Sequence, residues 1–429
     1  MDEPSVPALA APARQPDNPL TRSVAGVIGL VFLGLMFAAC LGSLPYTLWP
    51  VVDPVADAAA ESSGDERPRG TPRYMAGDPR SGRLPPVWAP SDDRDFRRLN
   101  ILVPEPVVEQ LAAELSTTPD ELYDATRGPL ADAMREHHAR TILGTDNLGR
   151  SLWARVLLGG SISLGIGIAA AALSVCIGTL YGAIAGYVGG LTDSVMMRIV
   201  DVLYGLPYIL LVVLLAVAVD AVVDNMIAEA VPRIAAQREA YVESALSALP
   251  EAERTPAAIE RLQVQALDRF GTGEPTTATR TSINVITLLV AIGGVSWLTM
   301  ARVVRGQVLS LKNQPFVEAA RAVGAPTRRI FLKHLLPNLL GPIIVYATLT
   351  VPQAILQESF LSFLGIGVQQ PLPSWGNLAA EGLNEINTTR SNWWLLLFPC
   401  LLLGSTLLAL NFVGEGLREA FDPKRAKKA

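Results

Sequence analysis

The stretch that decides the fold is EAARAVGAPTRRIFLKHLLPN, Glu318 to Asn338, which lies between two long apolar segments. It is rich in arginine and too polar to cross a bilayer. Pro315 to Val323 is predicted to form a short helix that ends at Gly324, because glycine is favoured just past the end of a helix. A second short helix is expected to begin with Pro326 at its first position and to stop near Pro337. The stretch should therefore form two short helices at a membrane surface.

The composition predicts a membrane protein. Half of the 429 residues are hydrophobic and the mean hydropathy is +0.33. The net charge of -5 gives no indication of nucleic-acid binding. All five lysines lie in the last third of the chain, and none belongs to a glycine-rich phosphate loop. If ATP drives this protein, we expect another subunit to hydrolyse it, and we expect this chain to bind no cofactor.

No arrangement of side chains predicts catalysis or metal binding. The three cysteines lie in separate apolar segments, so a disulfide framework is not expected. His137 and His138 are adjacent and would point to different sides of a helix, so we expect solvent-exposed side chains there rather than a metal site. The prediction is a protein with no catalytic residues, no metal ligands and no enzymatic activity.

Six apolar segments are long enough to cross a bilayer. They predict an all-α integral membrane protein with six transmembrane helices. The predicted spans are Ser23 to Leu44, Ser161 to Tyr187, Met196 to Val219, Ser282 to Met300, Leu339 to about Leu356, and Trp393 to Phe412.

Two polar insertions, both acidic and free of lysine, separate the apolar segments. Helices are predicted in the first from Pro106 to Leu115, and from a capping box at Thr118 to about His138. In the second they are predicted from Ile234 to Leu249 and, capped by Thr255, from Pro256 to Phe270. The predicted boundaries are 1–22 for a cytoplasmic N-terminal tail, 23–44 for the first helix, 50–143 for the first insertion, 144–219 for helices 2 and 3, 220–281 for the second insertion, 282–415 for helices 4 to 6 with a loop at 315–338, and 416–429 for a basic cytoplasmic tail.

Small residues recur every four positions along the second span. They form one smooth stripe where another helix can approach closely. The stripe serves either packing inside the chain or an interface between subunits. Its members are Ser174, Gly178, Gly182, Gly186 and Gly190.

Two further features could belong to a transport pathway. Gly205 and Pro207 should bend the third span, and such a bend serves either motion or packing. Glu358 is a carboxylate at or near membrane depth, where charge is costly and usually faces protein or water. It either lines a pathway or makes a structural hydrogen bond at a helix end.

The spacing of the opening stretch resembles the EAA loop of ABC importer permeases. The residues that carry this resemblance are Glu318, Ala319, Ala320, Gly324, Leu336 and Pro337. In that family the loop is a coupling helix that docks in a groove of a cytoplasmic ATPase. Small alanine side chains let a helix lie close to a partner, and Glu318 with Arg321 can fix its orientation. His334 stands where the generic pattern has an apolar residue, and histidine there is typical of peptide and nickel permeases.

Other stretches resemble the C-type permease of dipeptide, oligopeptide and nickel importers. Gly144 to Arg150 resembles the segment before the second helix, and we expect a turn and helix cap there. The remaining stretches are Asp201 to Pro207, Leu361 to Gly376 and Asn411 to Pro423. The resemblance implies a type I, MetI-like fold with two mostly helical extracytoplasmic insertions, which the family core does not need.

The resemblance implies that the chain is a permease subunit that makes and breaks no bonds in its substrate. The chain would pair with a second, related permease, with two ATPase subunits that bind ATP, and with an extracytoplasmic substrate-binding protein. Transport would proceed by alternating access, with peptides as the expected substrate and nickel or peptide-like compounds as the alternative.

The charge distribution predicts the orientation in the membrane. Seven basic residues against one acid lie between Arg302 and His334, and four more bases follow Asp422. By the positive-inside rule these regions are cytoplasmic, so both termini lie inside and both insertions lie outside the cell membrane. The same orientation predicts an aromatic belt at the outer interface, formed by Trp49, Trp153, Trp375, Trp393 and Trp394.

Two other classes of protein compete with an importer subunit. A secondary transporter driven by an ion gradient would use membrane-buried acids, for which Glu358 is the candidate. A membrane-anchored extracytoplasmic enzyme, binding protein or sensor would carry its activity in the insertions. The EAA loop has no role in a secondary transporter, and the insertions lack a Ser/His/Asp or Cys/His arrangement, a metal-binding set and a glycine-rich loop.

Overall fold

The computed structural model describes residues 24–51, 70–89, 92–138, 141–386 and 391–421. The tail predicted at 1–22 and the bases that follow Asp422 lie outside these residues. The described helices are, in chain order, α1 (Val24–Gly42), α2 (Leu44–Leu48), α3 (Asp93–Ile101), α4 (Glu105–Leu115), α5 (Pro119–Asp124), α6 (Pro129–His137), α7 (Leu152–Val188), α8 (Gly190–Tyr204), α9 (Tyr208–Ala248), α10 (Pro256–Phe270), α11 (Thr277–Leu311), α12 (Pro315–Ala322), α13 (Thr327–Ile330), α14 (Leu336–Phe363), α15 (Trp375–Asn384) and α16 (Trp394–Phe421). One short antiparallel pair joins β1 (Pro50–Val51) to β2 (Thr71–Pro72).

Within the described residues, six helical stretches are long and apolar enough to cross a membrane, which confirms the predicted all-α fold with six spans. They comprise α1 with α2, α7, α9, α11, α13 with α14, and α16. A buried apolar cluster joins four of them, with Ile166 on α7, Val212 on α9, Ile292 on α11 and Ala354 on α14. The first span packs instead against the last, where the backbone of Gly29 lies close to the Ala409 carbonyl.

The stripe of small residues on α7 faces α11 of the same chain. A Cβ atom added at Gly178 would lie 2.8 Å from the Trp297 carbonyl oxygen, and one added at Gly186 would lie 2.9 Å from the Arg305 carbonyl oxygen. Gly182 lies against the Ala301 carbonyl in the same way. The three glycines therefore allow two long helices to approach until their backbones nearly touch.

The sequence predicted one bent helix for the third span, but the structure has two helices there. The chain forms α8, breaks at Gly205 to Pro207, and starts again as α9. The break has a local cause, since Pro207 has no N–H to donate and disfavours helical geometry at the residue before it. The predicted span from Met196 to Val219 therefore covers parts of two helices.

The second insertion is continuous with the membrane helix before it. The helix predicted to begin at Ile234 begins instead at Tyr208, because α9 runs unbroken from Tyr208 to Ala248 with Pro232 inside it. The polar residues after Val219 therefore do not end the helix. The second predicted helix agrees with the structure: α10 spans Pro256–Phe270, and the Thr255 side chain accepts a hydrogen bond from Ala258 N.

The first insertion contains a small helical unit, α3 to α6. Thr118 caps α5 as predicted, but the helix expected to continue to His138 ends at Asp124. Gly128, with φ 84°, turns the chain and Pro129 starts α6. A left-handed glycine followed by proline cannot continue a helix, which explains the break.

Buried polar contacts hold this unit together. The Asn100 side-chain amide donates to the carbonyls of Leu122, Tyr123 and Ala125, so it provides hydrogen bonds to carbonyl groups at the C-terminal end of α5. The His138 ring nitrogen Nε2 lies 2.8 Å from Asn100 Oδ1, and His138 is buried, so its predicted exposure was wrong. Burial lowers the pKa of His138 to about 4, with help from the nearby charge of Arg135.

Two residues of the predicted aromatic belt, Trp375 and Trp394, are buried in the protein. Trp49 is 67% exposed, whereas Trp375 is fully buried and donates its Nε1–H to the Val156 carbonyl at 3.1 Å. Trp394 is buried as well. Trp375 therefore contributes to the packing between α7 and α15 rather than to a membrane interface, because its N–H finds a protein partner.

Candidate coupling surface

The first helix of the EAA stretch ends as the sequence predicts. In α12, Gly324 N–H donates to the Arg321 carbonyl at 2.9 Å, and Ala325 N–H donates to the Ala320 carbonyl at 3.0 Å. This pair of hydrogen bonds is a Schellman motif, and it requires the left-handed φ of 79° that Gly324 adopts. The glycine therefore fixes the direction in which the chain leaves the helix.

The second helix does not stop near Pro337. α13 runs through a π-helical turn, Phe331–Leu335, directly into the membrane helix α14. Pro337 lies in the first turn of α14, directly after this π-helical turn. A widened turn before a proline relieves the clash that would otherwise break the helix, and the Asn338 side chain donates to the His334 carbonyl at 2.6 Å. The surface loop and the fifth span are therefore one helical element.

Apolar side chains anchor the loop to the ends of the membrane helices. Val317, Ile330 and Leu335 are almost completely buried. They belong to a cluster with Ala183 on α7 and Val308 on α11. Since Val317 is the buried residue of α12, this packing ties the short helix to the ends of two membrane helices.

The opposite side of α12 is open to solvent. Glu318, Ala319 and Gly324 are exposed, and Ala320 is half-buried. Val323, at the end of this helix, is 88% exposed. This face, which we call the coupling face, offers small and apolar groups to a partner.

Arg321 is exposed and lies beside the end of α7. Its guanidinium lies over the Tyr187 ring, 5.5 Å from the centroid. The Phe316 and His334 rings lie 6.4 Å apart, so His334 contacts the start of α12. Arg321 therefore orients α12 against the end of α7, and Glu318 is left facing outward.

Charged contacts join the ends of the membrane helices next to the EAA loop. Arg305 on α11 donates through Nη2 to Asp193 on α8 at 2.6 Å, and this hydrogen bond lowers the pKa of Asp193. Lys312 Nζ donates to the Gly186 carbonyl at 2.9 Å, where it meets the negative end of α7. Arg302 pairs with Asp201 at 2.8 Å. These contacts fix α7, α8 and α11 relative to one another beside the coupling face.

Glu358 is enclosed by protein. It lies on α14 and is fully buried. The hydroxyl of Ser362 donates to its carboxylate at 2.8 Å and that of Ser359 lies at 3.2 Å, with Ser163 and Ser374 also hydrogen-bonded to it. Serine hydroxyls satisfy a buried carboxyl group without a counter-charge, and here they join α7, α14 and α15.

An ion cluster at the other end of the bundle was not foreseen from the sequence. Arg155 is buried and donates through Nη1 to Asp146 at 2.7 Å, and to Glu381 at 2.6 Å. Asp146 also accepts from Arg150 Nε at 2.7 Å. Asp146 and Arg150 belong to the stretch that was expected to form a turn and a helix cap, and the turn is present with Gly149 at φ 74°. Glu381 lies 226 residues from its partner, so no local pattern could have revealed the pair.

Six candidate membrane spans and an anchored, solvent-facing loop are typical of a multi-pass membrane protein. A family model described as "Binding-protein-dependent transport system inner membrane component" matches residues 178–427, and the chain belongs to this family. The resemblance to ABC importer permeases is thereby confirmed, and the protein is a multi-pass inner-membrane transport subunit, not an enzyme.

Characterised relatives carry the same type of name. An oligopeptide transport system permease protein OppC from Haemophilus influenzae is 41% identical over 294 residues, 68% of this chain and 73% of the relative. A dipeptide transport system permease protein DppC from Bacillus subtilis is 41% identical over 281 residues, 66% of this chain and 68% of the relative. The OppC protein of Escherichia coli K12 is 40% identical over 302 residues, 70% of this chain and 78% of the relative.

Proposed function

We propose that this chain is the C-type permease of an ATP-driven importer that moves peptides across the inner membrane. The names of the relatives, which are oligopeptide and dipeptide permeases, support peptides as the substrate. Nickel or a peptide-like compound is the alternative cargo. The chain would supply half of the pathway, and a second, homologous permease would supply the other half.

The coupling face carries this proposal. Its exposed Glu318 and Ala319 are available to a groove in an ATPase, while Val317 on the same helix is locked to α7 and α11. A rigid connection of this kind transmits the closure of two ATPase subunits to the membrane helices. ATP, which would bind to those subunits, must favour one state of the bundle over the other for alternating access to proceed.

The orientation follows from the same surface. If the coupling face meets a cytoplasmic ATPase, six spans place both termini in the cytoplasm. The Asp146–Arg155–Glu381 cluster and both insertions then lie on the extracytoplasmic side, where a substrate-binding protein would deliver its cargo. The excess of basic residues around the EAA loop supports this orientation.

Glu358 bears on the competing class, a secondary transporter driven by an ion gradient. Such a transporter needs a carboxylate that exchanges ions with an open pathway. The serine hydroxyls around Glu358 favour a structural role instead, in which the side chain joins three helices. We therefore place Glu358 in the frame of the bundle and not in the pathway.

Uptake into proteoliposomes tests the proposal. The complete transporter would be reconstituted with its binding protein, and accumulation of a labelled tripeptide and of Ni²⁺ would be measured with and without ATP. We expect peptide accumulation that requires ATP and survives a proton ionophore. Accumulation of Ni²⁺ alone would overturn the choice of substrate. Accumulation that needs no ATP and collapses with the ionophore would establish the secondary transporter.

A further inference from the structure

The second insertion forms an arm that extends beyond the bilayer. At 1.5 Å per residue α9 is roughly 60 Å long, about twice the thickness of the hydrocarbon core. About half of α9 therefore projects from the membrane. After a short turn α10 packs back against this half, with Ala266 buried and the Tyr241 and Phe270 rings 5.7 Å apart. We call residues 228–276 the arm.

The two helices of the arm leave an apolar groove between them. Its volume is about 660 Å³. The floor contains Val242 and Leu246 from α9 and Val264 and Leu267 from α10. Val264 is 54% exposed and Leu267 is 41% exposed, so the floor faces water. Two helices alone cannot cover such a surface, and an exposed apolar groove of this kind marks an interaction site.

Acidic side chains surround this groove. Glu239, Glu243 and Glu260 line it, together with Arg238. The arm as a whole contains eight carboxylates, five arginines and no lysine, which leaves it net negative. A negative rim around an apolar floor is complementary to an apolar side chain flanked by lysine or arginine.

We propose that the arm groove docks the substrate-binding protein, and that it receives an apolar side chain of that protein flanked by basic residues. This inference rests on the proposed function, because it places the arm on the side of the membrane where the binding protein delivers cargo. The family is described as binding-protein-dependent, so a protein partner is required there. The projecting part of α9 is roughly 30 Å long, about the diameter of a small domain, so it can reach along the flank of a docked partner. The negative rim would steer a basic patch toward the groove before contact.

The test measures binding of the purified binding protein to the complete transporter in nanodiscs. One variant carries Glu239→Lys, Glu243→Lys and Glu260→Lys, and a second carries Leu267→Ser in the floor. The matched control carries Glu229→Lys, Glu251→Lys and Asp268→Lys, which changes the charge of the arm equally at positions that do not line the groove. Co-purification of the ATPase and thermal stability report on the assembly and fold of each variant.

We expect the groove variant to weaken binding at least tenfold, the floor variant to weaken it several-fold, and the control to change it less than threefold. The wild-type affinity should fall as salt rises, and this dependence should be smallest in the groove variant. Equal losses in the groove variant and the control would overturn the proposal. Direct binding of free peptide to the groove would overturn the proposal and make peptide the occupant. A change in the number of permease copies per complex would overturn it and make a second copy of the chain the occupant. In each of these cases retention of the ATPase keeps the proposed function intact, whereas absence of the ATPase from the wild-type complex would refute that function itself.

Discussion

Replacement of Gly178 by alanine should destabilise the packing of α7 against α11, because the added methyl group overlaps atoms of α11. The added Cβ would lie 2.5 Å from Met300 Cβ and 2.8 Å from the Trp297 carbonyl oxygen, whereas ordinary contacts begin near 3.4 Å. Neither neighbour is the flexible end of a side chain. To relieve the overlap α7 and α11 must separate by roughly 1 Å, which is overpacking of a kind that costs about 1–3 kcal/mol.

Gly165 provides the matched control on the same helix. A Cβ added there meets no heavy atom within 4 Å, and the residue is exposed. Gly165→Ala should therefore be neutral, or stabilise α7 by up to about 1 kcal/mol through its better helix propensity. The assay is the temperature at which half of the detergent-solubilised chain is lost from its size-exclusion peak.

We expect Gly178→Ala to lower this midpoint by several degrees, since each kcal/mol corresponds to about 2–4 °C in a large domain. Gly165→Ala should leave it unchanged or raise it by up to about 4 °C. If both variants have the same midpoint, close contact between α7 and α11 at the glycine stripe is refuted. In that case the stripe would be free to contact another subunit.

Three further perturbations test other parts of the structure. Arg155→Gln should destabilise this end of the bundle by about 1.5–3 kcal/mol, because Asp146 and Glu381 both lose a charged hydrogen bond while Asp146 keeps Arg150; thermal unfolding measures this, and recovery in the double variant Arg155→Gln/Glu381→Gln would separate the ion pair from simple packing. His138 has a pKa lowered to about 4, so the neutral ring stabilises the first insertion above the ordinary pKa near 6.5, and up to about 3 kcal/mol is lost as the pH falls from there toward 4. Amide exchange of the insertion at pH 7 and pH 4.5 should show this loss, and equal protection at both values would contradict it. Val317→Ala should cost about 2 kcal/mol and expose the EAA loop to protease, whereas Val323→Ala, at an exposed position, should leave cleavage unchanged.

Local rules predicted much of the fold. Hydrophobic length identified six spans, and cap chemistry identified both the start of α10 after Thr255 and the end of α12 at Gly324. Each of these signals lies within a few residues of the feature that it determines. The same holds for the EAA stretch, whose spacing can be read without any knowledge of distant residues.

The errors arose where surroundings override local signals. Polarity after Val219 was interpreted as the end of a helix, although α9 continues unbroken to Ala248. Pro337 was expected to end a helix, but the π-helical turn before it accommodates the ring. The Arg155–Glu381 pair and the buried Trp375 depend on contacts between residues far apart in the chain, which one sequence does not reveal.

The central claim is that the coupling face binds an ATPase. The direct measurement is purification of the affinity-tagged chain with its partner permease and ATPase subunits, for the wild type, for the double variant Glu318→Arg/Gly324→Pro, and for Glu251→Arg as a control of equal charge change on the arm. The account predicts that the wild type and the control retain the ATPase, while the double variant loses it and still retains the partner permease. An ATPase that remains with the double variant, or that is absent from the wild type, would contradict the account.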